Sequence, residues 1–266
     1  MGRRSGRAGG NMDTRLISLL LAFMTFLGVF AAGCIQEQEP PAAPVSGNMV
    51  DIVAGGREYP AYLAAPPASG SYPVIILIHS FNGLEPGYRE MSDQLAAEGF
   101  VVLAPEWQTY GQSPADGEVE EVINGSLAYL SNFSVANVSR AGLTGFCAGG
   151  RYTMLFLPQR GDFRSGVAWY GFPYSRGFAN DTTPADHIMG LTALMLIIHG
   201  TRDTASPIDE IYQYAGELDE AGKYFEMKIY RGKGHGFMIV NGSLATDDAS
   251  KDAYREMSAF FNRTLK

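Results

Sequence analysis

The run Val74–His79 (Val-Ile-Ile-Leu-Ile-His) is nearly all apolar and rich in β-branched residues. A strand of that kind has no polar face, so it must be covered on both sides. Any fold that contains it needs helices above and below a sheet. The rest of the chain supplies them. Phe100–Ala104, Ala141–Gly145, Val167–Tyr170, Leu194–His199 and Phe225–Tyr230 are further strand candidates. Amphipathic helical patterns lie between them at Tyr88–Glu98, Val119–Leu130, Arg151–Leu157, Pro207–Glu220 and Ala249–Phe261. This alternation predicts an α/β fold, a mostly parallel sheet with helices on both faces. The segment 49–64 reads as a hairpin turning at Gly55-Gly56. No internal repeat or second domain boundary is visible.

Ligands in such folds bind beyond the carboxyl ends of the strands, so reactive residue types should follow the strand candidates. They do: Ser80 and Phe81 after the first, then Glu106, Cys147, Asp203 and His235. The run Gly145-Phe146-Cys147-Ala148-Gly149-Gly150 has the form of a nucleophile elbow with cysteine as the nucleophile. Small neighbours allow the tight strand-to-helix turn, and the helix start that follows favours negative charge.

The order Cys147, Asp203, His235 is the nucleophile–acid–histidine order of a triad on an α/β-hydrolase sheet. In that reading the imidazole takes the thiol proton and the carboxylate fixes its tautomer. His235 sits in the glycine-rich turn Gly232–Phe237. Asp203 could instead close an Asp turn or pair with Arg202, and Asp209 is a weaker candidate for the acid. His199 reads as structural and His187 as a surface residue. Ala148 N–H is one expected oxyanion donor. Phe81 N–H, in the turn His79–Gly83, is the other, with His79 and Asn82 bracing the loop. The four histidines have no close ligand spacing, so no metal site is expected. Trp107, Tyr110, Phe172, Tyr174 and Met238 are candidates for an apolar pocket wall; core packing or surface covering is their alternative use.

These pieces resemble the dienelactone hydrolase family of the α/β-hydrolase superfamily. The resemblance rests on Ile78-His79-Ser80-Phe81-Asn82-Gly83-Leu84, the cysteine elbow, Val167-Ala168-Trp169-Tyr170-Gly171, His199-Gly200-Thr201-Arg202-Asp203 and Tyr230–Phe237, which together span most of residues 49–266. It implies hydrolysis of lactone or ester bonds by a Cys–His–Asp triad with no metal or organic cofactor. Two positions depart from the family pattern. Ser80 stands where the namesake enzymes carry a thiol-tuning glutamate, and Ile239 where they carry a carboxylate-binding arginine. The resemblance therefore supports the hydrolytic machinery, but not a muconate-type dienelactone as substrate. The second reading is a catalytically inactive surface protein on the same scaffold, binding solutes or wall polymers.

The N-terminus carries an address. Arg3, Arg4, Arg7 and Arg15 precede an apolar stretch from Leu16 to Ala32, and Ala31-Ala32-Gly33-Cys34 resembles a lipobox. Residues 1–33 thus read as a signal peptide with Cys34 as the lipidation site, or as an uncleaved anchor; Met12 could be the true start. Residues 35–48 are polar and proline-rich and read as a tether, leaving 49–266 as the domain. Six of the nine asparagines (Asn124, Asn132, Asn137, Asn180, Asn241 and Asn262) open N-x-Ser/Thr triplets. Chance gives about one among nine, so N-glycosylation is expected, mostly beside turns. Together these features predict a protein on the extracytoplasmic face of the cell membrane, archaeal on the combination of lipobox and sequons. The net charge of −8 argues against a nucleic-acid partner. Without a heptad pattern the default expectation is a monomer acting on a small ester or lactone.

Overall fold

The computed structural model describes residues 45–177 and 182–266. Eight strands form one sheet: β1 (Asn48–Ala54), β2 (Arg57–Ala64), β3 (Tyr72–Ile78), β4 (Val101–Pro105), β5 (Ala136–Phe146), β6 (Phe163–Trp169), β7 (Leu194–Gly200) and β8 (Phe225–Tyr230), in the order β1-β2-β4-β3-β5-β6-β7-β8. The β1–β2 and β2–β4 pairs are antiparallel, and every pair from β4 to β8 is parallel. This is the α/β-hydrolase architecture expected from the sequence.

Strand alternation builds two cores. Val74, Ile76 and Ile78 of β3 face one, and Ile75 and Leu77 face the other. Among the described residues, five α-helices cover them: α1 (Pro86–Ala97), α2 (Asp116–Ser131), α3 (Ala148–Phe156), α4 (Ile208–Glu220) and α5 (Asp248–Leu265). Tyr88, Met91 and Leu95 of α1 pack with Met257, Phe260 and Phe261 of α5 on one face. Val119 and Ile123 of α2, Tyr152 and Leu155 of α3, and Ile211 and Leu218 of α4 fill the other. Both faces of β3 are therefore closed, as its lack of polar residues requires. The first hairpin pairs Ala54 with Arg57, so Gly55-Gly56 is a two-residue turn. Both glycines have positive φ (54° and 77°), the requirement of a type I′ turn.

Some boundaries differ from the sequence reading. β5 begins at Ala136 rather than Ala141, because its polar start Ala136–Arg140 carries no strand-like apolar pattern. A short hairpin, β9 (Ile239–Val240) and β10 (Ser243–Leu244), was not foreseen, since two-residue strands have no period to read. It packs on α1, where Gly87 N–H donates to Gly242 O at 2.9 Å. The folded unit also starts before residue 49: Val45 packs on the α1–α5 core and Gly47 N–H donates to Asp93 Oδ1 at 2.8 Å. The end of the expected tether thus belongs to the domain.

The apolar stretch Leu16–Ala32, Cys34 and Asn180 lie outside the described residues. Among the described residues no helix is long and apolar enough to cross a membrane. Of the remaining sequons, Asn132 caps the end of α2 and Asn241 occupies the β9–β10 turn, while Asn137 lies near the start of β5. Asn124 and Asn262 depart from the expected turn locations. Asn124 is exposed on α2 with the Ser126 of its triplet buried, and Asn262 lies inside α5 with Nδ2 donating to Ser258 O at 3.0 Å.

Candidate active site

The parallel strands deliver their carboxyl ends to one edge of the sheet. Cys147 sits between the end of β5 and the start of α3, with φ 57° and ψ −112°. A side chain rarely occupies this region, because Cβ crowds the main chain. The turn is held from both sides: Cys147 N–H donates to Trp169 O at 3.1 Å, and Arg151 N–H donates to Cys147 O at 2.9 Å. Its glycines are fixed by close approach. A Cβ on Gly145 would lie 2.1 Å from Gly149 O, one on Gly149 2.0 Å from Ile78 O, and one on Gly150 2.3 Å from Trp169 O. The thiol is free, half-buried and at the N-cap of α3, with Ala148 as the first helical residue.

Asp203 lies three residues past the end of β7 and is buried. Its Oδ1 accepts from Ala205 N–H and Ser206 N–H, both at 2.9 Å, and its Oδ2 from His235 Nδ1 at 2.8 Å. Burial alone would raise the carboxyl pKa, but the bonds from His235 and the Ser206 N–H outweigh it and hold the group below its usual value. Ser206 also ties this loop to the sheet edge, its Oγ donating to Gly171 O at 2.6 Å. His199 lies beneath, with Nε2 2.9 Å from Ser206 O and 3.5 Å from Asp203 Oδ2. Burial lowers its pKa, so the neutral ring acts as a structural brace for the Asp203–Ser206 loop.

His235 follows β8 in the loop between Arg231 and Met238. Its ring stands edge-on to Tyr170 at 5.1 Å and near Phe172 at 5.4 Å. Burial works to lower the imidazole pKa, but the Asp203 bond and the Cys147 thiol more than compensate and bring it up to about 9. Nε2 is buried, makes no conventional hydrogen bond, and is the ring nitrogen left for the thiol once Nδ1 is bound to Asp203. The structure thus brings together Cys147, His235 and Asp203. Asp209 lies in the first turn of α4, and Asp203 is the carboxylate that His235 holds. Glu106 follows β4 but lines neither of the cavities described below.

Phe81 and Ala148 line the same cavity as Cys147. The Phe81 loop is braced as expected of His79. That ring stacks on Trp107 at 5.3 Å, and its Nδ1 lies 2.7 Å from Ser80 O. Burial drives the His79 pKa down to about 4, so it is neutral at pH 7. Asn82 N–H donates to Ser80 Oγ at 3.2 Å, and Gln108 Nε2 donates to Phe81 O at 3.2 Å.

Two cavities meet at Cys147 and Phe81. One of about 320 Å³ is lined by Phe81, Ala148, Arg151, Tyr152, Phe172 and Ser175. The other, about 180 Å³, is lined by Ser80, Asn82, Glu85, Tyr88, His235 and Ile239 together with the thiol. Of the five aromatic and sulfur-bearing candidates for a pocket wall, Phe172 alone lines either cavity. Trp107 is buried under the His79–Phe81 loop, and Tyr110 packs on Tyr59. Tyr174 donates to Glu217 Oε1, and Met238 is core. Sequence reasoning missed Glu85, Tyr88 and Tyr152. All lie on helices or helix starts, whose orientation toward the sheet edge is a tertiary property. It also missed the buried pair Arg151–Asp116, in which both guanidinium Nη atoms lie 2.8 Å from the carboxylate.

The sequence profile of the dienelactone hydrolase family matches residues 107–265. The chain belongs to the dienelactone hydrolase family. Membership makes it a hydrolase of the ester and lactone class. A chlorophyllase profile matches residues 28–156. A Salmonella typhimurium protein that carries the name carboxymethylenebutenolidase is 27% identical over 239 residues, covering 83% of this chain and 88% of that one. A Bradyrhizobium protein named for 2-oxo-3-(5-oxofuran-2-ylidene)propanoate lactonase activity is 26% identical, covering 83% and 93%. Among solved structures, a dienelactone hydrolase-type protein of Klebsiella pneumoniae superposes with a TM-score of 0.75 at 24% identity, covering 83% of this chain and all (100%) of that one. The likeness confirms the fold of this family member.

Proposed function

We propose that the chain hydrolyses carboxylic ester, lactone or thioester bonds through Cys147, His235 and Asp203, at the extracytoplasmic face of the membrane. The observation that carries the catalytic reading is His235. One ring nitrogen is fixed by the Asp203 carboxylate at 2.8 Å, and the ring borders the same cavity as the Cys147 thiol. His235 Nε2 accepts the thiol proton as Sγ attacks the substrate carbonyl carbon. The carbonyl π pair moves onto oxygen, where Phe81 and Ala148 N–H groups receive it. Collapse of the tetrahedral adduct breaks the bond to the leaving group, which takes the proton from His235. A thioester acyl-enzyme remains. Water then repeats the sequence, giving its proton to His235, and the thiol is released with the acid.

The test is turnover of p-nitrophenyl acetate by wild type and by Cys147→Ala. Loss of turnover in the variant, at least ~10³-fold, supports the reading; activity that survives removes Cys147 from the role. For the location, Cys34→Ala should release the protein from membranes of the native host, and intact mass should show glycan on the native protein. A soluble wild type without glycan sinks both.

A further inference from the structure

The position of His235 settles which cavity would receive which half of an ester. A leaving-group oxygen must lie within reach of Nε2 to be protonated. His235 lines the smaller cavity and is absent from the wall of the larger one. The alcohol half therefore belongs on the side of Ser80, Asn82 and Glu85, and the acyl half on the side of Phe81, Tyr152 and Phe172. The two sides differ in chemistry. The acyl side presents three aromatic rings, Phe81, Tyr152 and Phe172, and among the described residues that line it the one cation is committed: Arg151 is held by Asp116 at 2.8 Å through both Nη atoms and donates through Nε to Ser175 O at 2.8 Å. On the alcohol side, the charge of the His235 ring is matched by the Asp203 carboxylate, 2.8 Å from Nδ1. Glu85 then adds one negative charge. Among the described residues it has no ion-pair partner. It stands at the N-cap of α1, but its side chain does not cap that helix. Burial raises its pKa and a Ser80 hydroxyl partly offsets the rise.

We infer that Glu85 is a specificity residue: its carboxylate, beside the leaving-group position, selects esters of cationic alcohols with apolar acyl groups and disfavours esters of anionic ones. The inference rests on the proposed Cys147 reaction, because it is that reaction which orients the ester. Ile239 on the same wall supplies an apolar surface and no counter-charge for an anionic substrate.

Three butyrate esters of closely matched size test it: butyrylcholine, its neutral isostere 3,3-dimethylbutyl butyrate, and 2-sulfoethyl butyrate. Each kcat/KM is divided by the ester's alkaline hydrolysis rate, which removes intrinsic reactivity. Wild type should favour the choline ester over the neutral one by about fivefold or more, the upper scale of a partly exposed ion pair, and should disfavour the sulfoethyl ester similarly. Glu85→Gln should bring all three within about twofold. Wild-type ratios already within twofold overturn the inference, and they do so without any variant. Ratios that persist in folded Glu85→Gln overturn it as well. If p-nitrophenyl acetate is still hydrolysed with dependence on Cys147, only the role of Glu85 falls. If no ester shows Cys147-dependent hydrolysis, the proposed function falls with it.

Discussion

Replacing Asp203 by asparagine isolates the electronic part of the site from its shape. In wild type, Oδ1 accepts two main-chain N–H groups at 2.9 Å and Oδ2 accepts His235 Nδ1–H at 2.8 Å. An asparagine of the same shape has one oxygen, and the two N–H donors claim it. Its amide NH₂ then faces His235 Nδ1, which must become an acceptor. The imidazole proton moves to Nε2, the nitrogen that receives the thiol proton in the proposed reaction, so the base is blocked. The expected loss in kcat is about 10³–10⁴-fold, or about 4–5.5 kcal/mol of transition-state stabilisation. Asp203→Ala makes the contrast. It leaves the imidazole free to choose its tautomer but strands two loop N–H groups, at about 1–3 kcal/mol of folding stability. Asparagine should therefore be the slower enzyme and alanine the less stable protein. The assay is p-nitrophenyl acetate turnover alongside urea denaturation. A folded Asp203→Asn protein with more than a tenth of wild-type kcat would refute the reasoning.

Other consequences follow from the same geometry. Gly149→Ala places a Cβ 2.0 Å from the Ile78 carbonyl, where neither backbone can yield; destabilisation of about 3 kcal/mol or more, or loss of soluble protein, is expected from melting curves. Asp116→Asn leaves the Arg151 guanidinium buried without its counter-charge and should cost about 3–5 kcal/mol in urea denaturation. The ion pair of His235 and Asp203 gives a pH signature. The histidine pKa is raised from 6.5 to about 9, so its contribution to stability is complete below 6.5 and disappears as pH rises through about 9. The Asp203 pKa is depressed, so its contribution is present above 3.8 and disappears as pH falls through the folded value. The Tm difference between wild type and His235→Asn should accordingly shrink between pH 6.5 and 9, and a difference constant across that range would contradict the assignment.

The parts of this molecule that can be read from its sequence are those in which local pattern and local turn chemistry agree. β3 announces itself by apolar content, the first hairpin by Gly55-Gly56, and the elbow by its spacing of small residues. Cys147, Asp203 and His235 could be nominated because parallel strands end on one edge, which turns chain order into spatial proximity. The wall of the smaller cavity could not. Glu85 and Tyr88 reach the site because α1 leaves β3 at a particular angle, and no residue pattern encodes that angle. The same limit explains the aromatic residues. Trp107 follows a strand as a pocket residue should, yet it turns under His79 to support the loop from behind. Ser206 was invisible for a related reason, since its value lies in joining the acid loop to Gly171 across the sheet edge.

The backbone at Cys147 has an evolutionary reading. At φ 57° and ψ −112° the side chain is the source of the discomfort. Cys147→Gly relieves strain on the order of 1–3 kcal/mol, while the added freedom of the unfolded chain returns about 0.4–1 kcal/mol. The variant should melt higher than the wild type, and a lower Tm would show that the turn is relaxed. A lineage under pressure only to persist would drift to glycine here. In the proposed reaction that strain is the cost of holding a sulfur, rather than a hydrogen, at the turn.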